Sequence, residues 1–478
     1  MEKKGLILGW HQRYLLDDMH VELIRNGFKD KACSMPISAL GLDIVCENIN
    51  DFLKAVTVMS MEYRTLARLF HADRSMDSYA NHDRLVRQRL EADSTFTTGI
   101  GTPLGELFIA TPRCVCMLTQ KVLLAERRVS AMWRSIPEVM RWNYIYHAIS
   151  EELLATNEME GVRSTRKETE AAVAAARQAR TEGDMEKARF GEFAKLYLNL
   201  TNRDVELPKT LEDIRDIYDK IALDEIDDKD RPDGELFRKG DVEVQGPHGT
   251  VIHSGVSSEA RISALLAQMM DLARSDTIPF LQRAIASHFL FEYIHPFYDG
   301  NGRTGRYLLA LYLSHDLTLP TVLSLPRTIA ENKNEYYKAF NEAEDKLNSG
   351  ELTFFVYTIL GLIERAQESL IEELGIKIDQ LDKATVLRDE LRREHALSTN
   401  ATLLLYAVMQ EELFDTTKSM TLEDAGGDLM LTKQTIRKYV DELAGESLIE
   451  FTGRRPLRFR ASEALRTRIQ AKREWGME

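Results

Sequence analysis

The chain has 478 residues, 44% of them hydrophobic and 29% charged, with a formal net charge of −14. That length exceeds one core, so two or three globular domains of ~100 to 200 residues are expected, and the acidic balance argues against attraction of the whole molecule to nucleic acid. No apolar stretch reaches the ~20 residues of a membrane span, and the start, Met-Glu-Lys-Lys-Gly-Leu-Ile-Leu-Gly-Trp, is too briefly apolar for a signal peptide. A cytoplasmic protein without a membrane partner is the expectation. Cys33, Cys46, Cys114 and Cys116 are too few for a disulfide framework, and Cys114-Val-Cys116 lacks further cysteines with which to hold a soft metal. Buried thiols are expected.

Residues 1–140 read as a helical N-terminal region, with a polar, charged stretch from His71 to Ser94 and a Gly/Thr-rich loop from Thr97 to Gly105. No chemical motif stands out there, so its expected role is to position partners or pack on the core. The core is placed at 141–370. It opens with a helix carrying Trp142, Ile145, Ile149, Leu153 and Leu154 and ending at Glu160, with Gly161 as C-cap. Glu160 puts a negative charge at the negative end of the helix dipole, costing ~0.3 to 1 kcal/mol unless a cation faces it. It is therefore a candidate ion-pair partner. The run from Arg163 to Phe190 is charged and alanine-rich, which predicts an exposed helix without a continuous apolar face and with a turn at Gly183. Further on, Val242–Gln245 and Thr250–His253 flank Gly246-Pro247-His248-Gly249 and read as a β-hairpin.

Leu281, Ile285, Phe289 and Tyr293 have helical spacing, and Pro296 disfavours helical geometry at His295, so a helix over 278–294 should end there. The residues from His295 to Arg306 are His-Pro-Phe-Tyr-Asp-Gly-Asn-Gly-Arg-Thr-Gly-Arg. Gly300-Asn301-Gly302 can turn backbone N–H groups inward as an anion-binding nest. A second apolar helix starting near Arg303 offers its positive N-terminus to phosphate, and Arg303 and Arg306, three apart, share one face of its first turn. Asp299 would repel bare phosphates, so its useful role is to hold Mg²⁺. His295 can take a proton from an incoming hydroxyl.

This segment resembles the signature of the Fic family, His-x-Phe-x-(Asp/Glu)-Gly-Asn-Gly-Arg-x-x-Arg, at every fixed position. The resemblance implies a helical core that moves AMP from ATP onto a protein hydroxyl. His295 would then be general base, Asp299 the Mg²⁺ ligand, and Gly300, Asn301, Gly302, Arg303 and Arg306 the phosphate cradle, with Phe297 a packing anchor. Thr156-Asn157-Glu158-Met159-Glu160-Gly161 resembles the family's inhibitory motif, (Ser/Thr)-x-x-x-Glu-(Gly/Asn). On that reading Glu160 pairs with Arg306 and leaves ATP misaligned for transfer. The hairpin resembles the family's flap, whose edge holds the target by strand addition. Tyr336 and Tyr337 resemble paired tyrosines near the adenine pocket, whereas Glu344 stands where related members can have an adenine-contacting asparagine. Base preference stays open on that account.

No Gly-Lys-(Ser/Thr) phosphate loop is present, and His288 reads as a packed helix histidine. Residues 371–399 are expected to form a linker helix. Residues 400–478 read as helices at Leu403–Leu413, from Thr421 and from Thr432 to Leu443, then two short β runs around Gly453-Arg454-Arg455-Pro456, an order that resembles a winged helix-turn-helix. Between Phe451 and Arg473 stand eight Lys/Arg against one Glu, so Lys433, Gln434 and Arg437 could face DNA; protein docking or dimerisation is the alternative.

The expected fold is thus mainly α: a helical Fic core with a short hairpin flap, a helical N-terminal region and a C-terminal winged helix-turn-helix. The expected function is a protein adenylyltransferase acting on a Ser, Thr or Tyr hydroxyl of a target protein, self-modification included, with Mg²⁺ and ATP, and a homodimer is a reasonable assembly. Two other functions fit the same residues: a DNA-binding regulator whose core senses nucleotide, and an enzyme that removes AMP.

Overall fold

The computed structural model describes residues 63–182, 188–202, 205–245, 251–414 and 419–474, and Thr65–Glu478 form one compact unit. Cys33, Cys46, nearly half of the expected N-terminal region, the turn at Gly183 and the hairpin tip from Gly246 to Thr250 lie outside the described residues.

The unit opens with α1 (Leu66–Ala72), α2 (Ser78–Leu90) and an antiparallel hairpin of β1 (Thr95–Thr102) and β2 (Gly105–Ala110). A loop was expected over Thr97–Gly105, and strand stands there instead. The threonines contribute to the pairing, Thr98 Oγ1 donating to Leu107 O at 2.7 Å and Thr102 Oγ1 to Gly105 O at 2.9 Å. A register shift between Thr97 and Gly101 absorbs Gly99, whose φ is +71°. Leu107, Phe108 and Ile109 are fully buried, and Phe108 N and O bond to Gly350 and Leu352. Tertiary burial of one strand outweighs the weak strand propensity of its partner.

Next come α3 (Arg113–Ser135), α4 (Glu138–Met159), α5 (Arg166–Glu182), α6 (Gly191–Asn199) and α7 (Leu211–Ala222), the last started by a capping box between Thr210 and Asp213. Cys114 is half-buried and Cys116 exposed, a correction to the expectation of buried thiols. They bracket Val115, which faces the core, so the helical period turns Cys116 outward. α5 also departs from expectation, because Ala172, Val173, Ala175 and Ala176 are buried and α5 packs on α4 and α6. Small side chains let helices approach closely, and a face made of alanine escapes a search for large apolar residues.

A second hairpin, β3 (Glu243–Gln245) with β4 (Val251–Ser254), precedes α8 (Glu259–Arg274), α9 (Phe280–Ile294), α10 (Asn301–Ser314), α11 (Leu319–Glu331) and α12 (Lys333–Ala343). Helices α9 and α10 form the centre: nearly every α9 residue and all from Asn301 to Leu313 in α10 are buried. A helix apolar on all sides belongs inside a core, which here leaves the loop from His295 to Gly300 held between two rigid elements.

The 42-residue α13 (Thr353–Glu394) continues unbroken from the main core into a second hydrophobic cluster. That cluster takes in α14 (Thr399–Phe414), α15 (Leu422–Leu429), α16 (Lys433–Gly445) and α17 (Glu463–Glu474), with an antiparallel sheet ordered β5 (Met420–Thr421), β7 (Leu457–Ala461), β6 (Ile449–Arg454). Several of its cations are paired within the chain: Lys433 with Glu423, Arg437 with Asp441, and Arg460 and Arg466 with Glu450. Among the described residues no helix is long and apolar enough to cross a membrane.

Candidate active site

His295 caps α9 in the left-handed region, with φ +52° and ψ +62°. Its Nδ1 lies 3.3 Å from Glu292 O. A carbonyl only accepts, so Nδ1 carries the proton and Nε2 keeps its lone pair. Burial, then the neighbouring His253 ring and Arg238, push His295 down to about 3. The imidazole is therefore neutral at physiological pH, the state a proton acceptor requires.

The loop is held from both sides. Asn301 Nδ2 donates to Phe297 O at 2.8 Å and Asn301 Oδ1 accepts from Phe297 N at 2.9 Å, so the Asn301 side chain closes the loop and only its backbone can face an anion. The Phe297 ring is fully buried and stacks on Tyr218 at 3.6 Å between centroids. Gly300, at φ +82°, forms the N-cap of α10, which starts at Asn301, two residues before the Arg303 near which its start was expected. No side chain caps that end, so its first N–H groups remain available to an anion.

Arg238 was not singled out by sequence. It is fully buried, and its guanidinium donates to four carbonyls: His295 O at 2.8 Å, Gly240 O at 2.6 Å, Val256 O at 2.8 Å and Ile294 O at 3.3 Å. This cation clamps the end of α9 to the base of the β3–β4 hairpin. Nothing in the local sequence around Arg238 signals such a role.

Two arginines face different fates. Arg303 is fully buried, and among the described residues its Nε and both terminal nitrogens have no hydrogen-bond partner; burial lowers its pKa, with Asp299 and Glu160 opposing. A buried guanidinium without acceptors is costly unless an anion meets it. Arg306, 2% exposed, is held at two of its three nitrogens: Nε donates to Thr156 Oγ1 at 2.8 Å, and NH2 donates to Thr156 O at 3.2 Å and Glu160 Oε1 at 2.8 Å. Burial works against its charge, but Glu160, Tyr336 and Glu292 together outweigh that and raise its pKa. Glu160 is the C-cap of α4, so the helix-end charge anticipated from sequence does meet a cation. A Cβ on Gly302 would collide with Glu160 Oε1 and crowd Arg306; Glu160 thus reaches over the glycine turn itself.

Two further carboxylates surround Arg306. Burial pushes Glu292 and Glu152 up to about 8, with Arg306 opposing, and Glu292 Oε1 is buried without a partner among the described residues. His288 accepts from Tyr336 at Nε2, 2.7 Å away, and its Nδ1 faces Gly305 O at 3.0 Å; burial and Arg306 push it down to about 3. Tyr336 is therefore a core residue bonded within the protein, while Tyr337 is exposed. Glu344 bonds to His253 Nδ1 at 2.7 Å.

Asp299 is exposed, and its Oδ1 accepts from Gly300 N at 2.6 Å. Among the described residues no group of three His, Cys, Asp or Glu could hold a metal by itself. One exposed carboxylate beside a phosphate-binding helix end nevertheless fits Mg²⁺, which commonly binds through one or two carboxylates with substrate phosphates and water.

Residues 208–313 match the Fic/DOC family. A probable protein adenylyltransferase of Aquifex aeolicus is 39% identical over 74 residues, 16% of this chain and 21% of that protein. A protein adenylyltransferase of Caenorhabditis elegans is 29% identical over 145 residues, covering 29% of this chain and 26% of its own. The chain therefore spans only a fifth to a quarter of the length of these relatives. A Fic family protein from Desulfovibrio desulfuricans superposes with TM-score 0.42 at 19% identity, over 73% of this chain and 96% of the other.

Proposed function

We propose that this Fic family protein, whose matching domain spans residues 208–313, transfers AMP from ATP to a Ser, Thr or Tyr hydroxyl of a protein, and that Glu160 restrains the reaction. The observation that carries the reading is the neutral, Nδ1-protonated His295 joined by a short loop to a helix N-terminus with a buried, unpartnered Arg303. A base and an anion cradle on one loop suit transfer at phosphorus. The relatives named as protein adenylyltransferases point to the same chemistry.

In this mechanism the hydroxyl oxygen attacks the α-phosphorus, and His295 Nε2 takes its proton. A new P–O bond forms while the bond to pyrophosphate breaks, and pyrophosphate leaves with the electron pair. Arg303 and the first amides of α10 hold phosphate oxygens; their value is positioning and charge stabilisation, which dominate phosphoryl-type transfer. Mg²⁺ held by Asp299 would neutralise phosphate charge. Arg306 completes the cradle only when released, because its Nε and NH2 donors are engaged by Thr156 and Glu160. The hairpin edge over His295 would register the target segment through backbone bonds.

The nucleic-acid reading is not favoured, since Lys433 and Arg437, the cations proposed to face a groove, are bonded to Glu423 and Asp441. The deciding experiment incubates wild type, Glu160→Gly and His295→Ala with Mg²⁺ and ATP labelled at the α-phosphate. Covalent label strongest in Glu160→Gly and absent from His295→Ala is expected. Equal label in all three proteins would refute the assignment; AMP release from a modified protein, without forward labelling, would favour removal of AMP.

A further inference from the structure

His253 sits on β4 opposite Val244 of β3, two residues before the strand returns to the α9 end. Its two ring nitrogens reach different helices. Nδ1 lies 2.7 Å from Glu344 Oε2 at the C-cap of α12, and Nε2 lies 3.0 Å from Tyr293 O in the last turn of α9. Both partners are oxygens that accept, so the doubly protonated ring satisfies both bonds at once, whereas a singly protonated ring next to a carboxylate satisfies only one. The ring also packs 5.8 Å from the His295 ring, centroid to centroid.

The rest of the hairpin base is built for the same close approach. Gly255 N donates to Val242 O at 3.0 Å and Val256 N to Ile294 O at 3.1 Å. A Cβ on Gly255 would stand 3.0 Å from His295 Cβ and closer still to Arg238 and Val242. Backbone bonds therefore fix the hairpin at its base. Beyond Gly255 the His253 contacts are side-chain bonds that tie the strand itself to both α9 and α12.

We propose that His253 is a positioning residue: with Glu344 and the Tyr293 carbonyl it latches the β4 strand at a fixed height over His295, so that a target hydroxyl bound along the hairpin meets Nε2 in line. The inference rests on the transferase reading for its role in catalysis, but the latch itself is a statement about the hairpin. It also gives Glu344 a role unconnected with the nucleotide base. The charged and titratable groups facing His253 are Glu344 on α12, Tyr293 on α9 and His295, with Arg238 beyond His295. The neighbouring His253 ring adds to the burial that keeps His295 neutral.

The test uses the full chain as wild type, His253→Ala, Glu344→Ala, Glu344→Gln and the His253→Ala/Glu344→Ala double variant, each checked for an unchanged far-ultraviolet spectrum. Amide hydrogen exchange over 242–256 should accelerate about 10-fold or more in both single alanine variants. The double variant should be no faster than His253→Ala alone, because that substitution already removes the contact to Glu344. Glu344→Gln, which keeps an acceptor for Nδ1–H, should restore most of the protection. Unchanged exchange in His253→Ala, or effects that add in the double variant, overturns the latch.

In a Glu160→Gly background, each single alanine variant should lower label transfer from α-labelled ATP about 10-fold. ATP affinity by calorimetry should stay within about twofold, because the cradle is untouched. Loss of ATP affinity equal to the loss of transfer would also overturn the proposal. Should Glu160→Gly itself transfer nothing, the transferase reading falls while the exchange data still decide the latch.

Discussion

Glu160 and Arg306, 146 residues apart in the chain, meet side chain to side chain at 2.8 Å. The pair is unequal in burial, 22% of the Glu160 side chain being exposed against 2% for Arg306. Arg306 is thus the fixed member, anchored by Thr156 from the same helix that ends at Glu160, and Glu160 is the member that can leave. Glu160→Gly is expected to raise AMP transfer about 10- to 100-fold, since alignment dominates this chemistry. It should also lower stability by on the order of 1–3 kcal/mol, because a buried cation loses its partner. Urea unfolding and label incorporation measure the two effects; higher stability together with unchanged transfer would contradict both.

Gly302 lies beside the Glu160–Arg306 contact, in the turn proposed to cradle phosphate. A methyl group there would strike Glu160 Oε1 and crowd Arg306, so Gly302→Ala must displace Glu160. If loss of Glu160 were all that mattered, Gly302→Ala would behave like Glu160→Gly. Instead, Gly302→Ala should fall below wild type in ATP affinity, about 10-fold by calorimetry, since the added Cβ stands where phosphate oxygens must approach the backbone. Unimpaired ATP binding would show that Gly302 lies outside the nucleotide site.

Buried titratable groups give the protein opposing pH dependences. His295 and His288 are pushed down to about 3, while in the unfolded chain they take up protons near 6.5. The unfolded state therefore binds more protons between about 3 and 6.5, and the stability they contribute, complete above 6.5, is lost as pH falls through 3. Glu292 is pushed up to about 8. The folded state keeps a proton the unfolded state has lost above 4.5, so that contribution is present at low pH and disappears as pH rises through 8. Relative to Glu292→Gln, wild type should lose stability between pH 5 and 8; parallel stability curves would sink the assignment. By nuclear magnetic resonance, the His295 ring should show no protonation between pH 8 and 5.

Arg238 holds four carbonyls in a buried fork. Lysine offers one ammonium on a flexible stem and cannot span that arc. Arg238→Lys should cost roughly 2–4 kcal/mol, the scale of several lost charge-assisted bonds in a core, and should release the hairpin base from the α9 end. Denaturant unfolding with amide exchange at 254–257 checks it. A loss below about 0.5 kcal/mol would mean that the clamp is redundant.

Much of the architecture was legible because it rests on local rules. The α9 helix and its end at His295 followed from apolar spacing and Pro296, and the α4 end at Glu160 from its pattern and Gly161. Thr432 starts α16 as its spacing required. The readings that differed depended on partners distant in sequence: the Thr97–Gly105 stretch became strand because β2 docks on Gly350 and Leu352, and the alanine face of α5 gained meaning from the helices that cover it. In the candidate site, Asn301 turned inward to close its loop, and Tyr336 sank into the core beside His288, because side-chain direction is set by packing that spacing does not encode.

By itself, then, the sequence determined which chemical groups stand together over His295–Arg306 and that the chain between them turns on glycine, since those follow from covalent adjacency and backbone freedom. Tertiary structure alone decided which cation Glu160 meets, that Arg303 stays unpartnered while Arg306 does not, that Arg238 clamps the loop and that His253 joins the hairpin to α12. These are choices among side chains dozens to more than a hundred residues apart, fixed by burial, where an unmatched charge is costly and each polar atom must find its partner across the core.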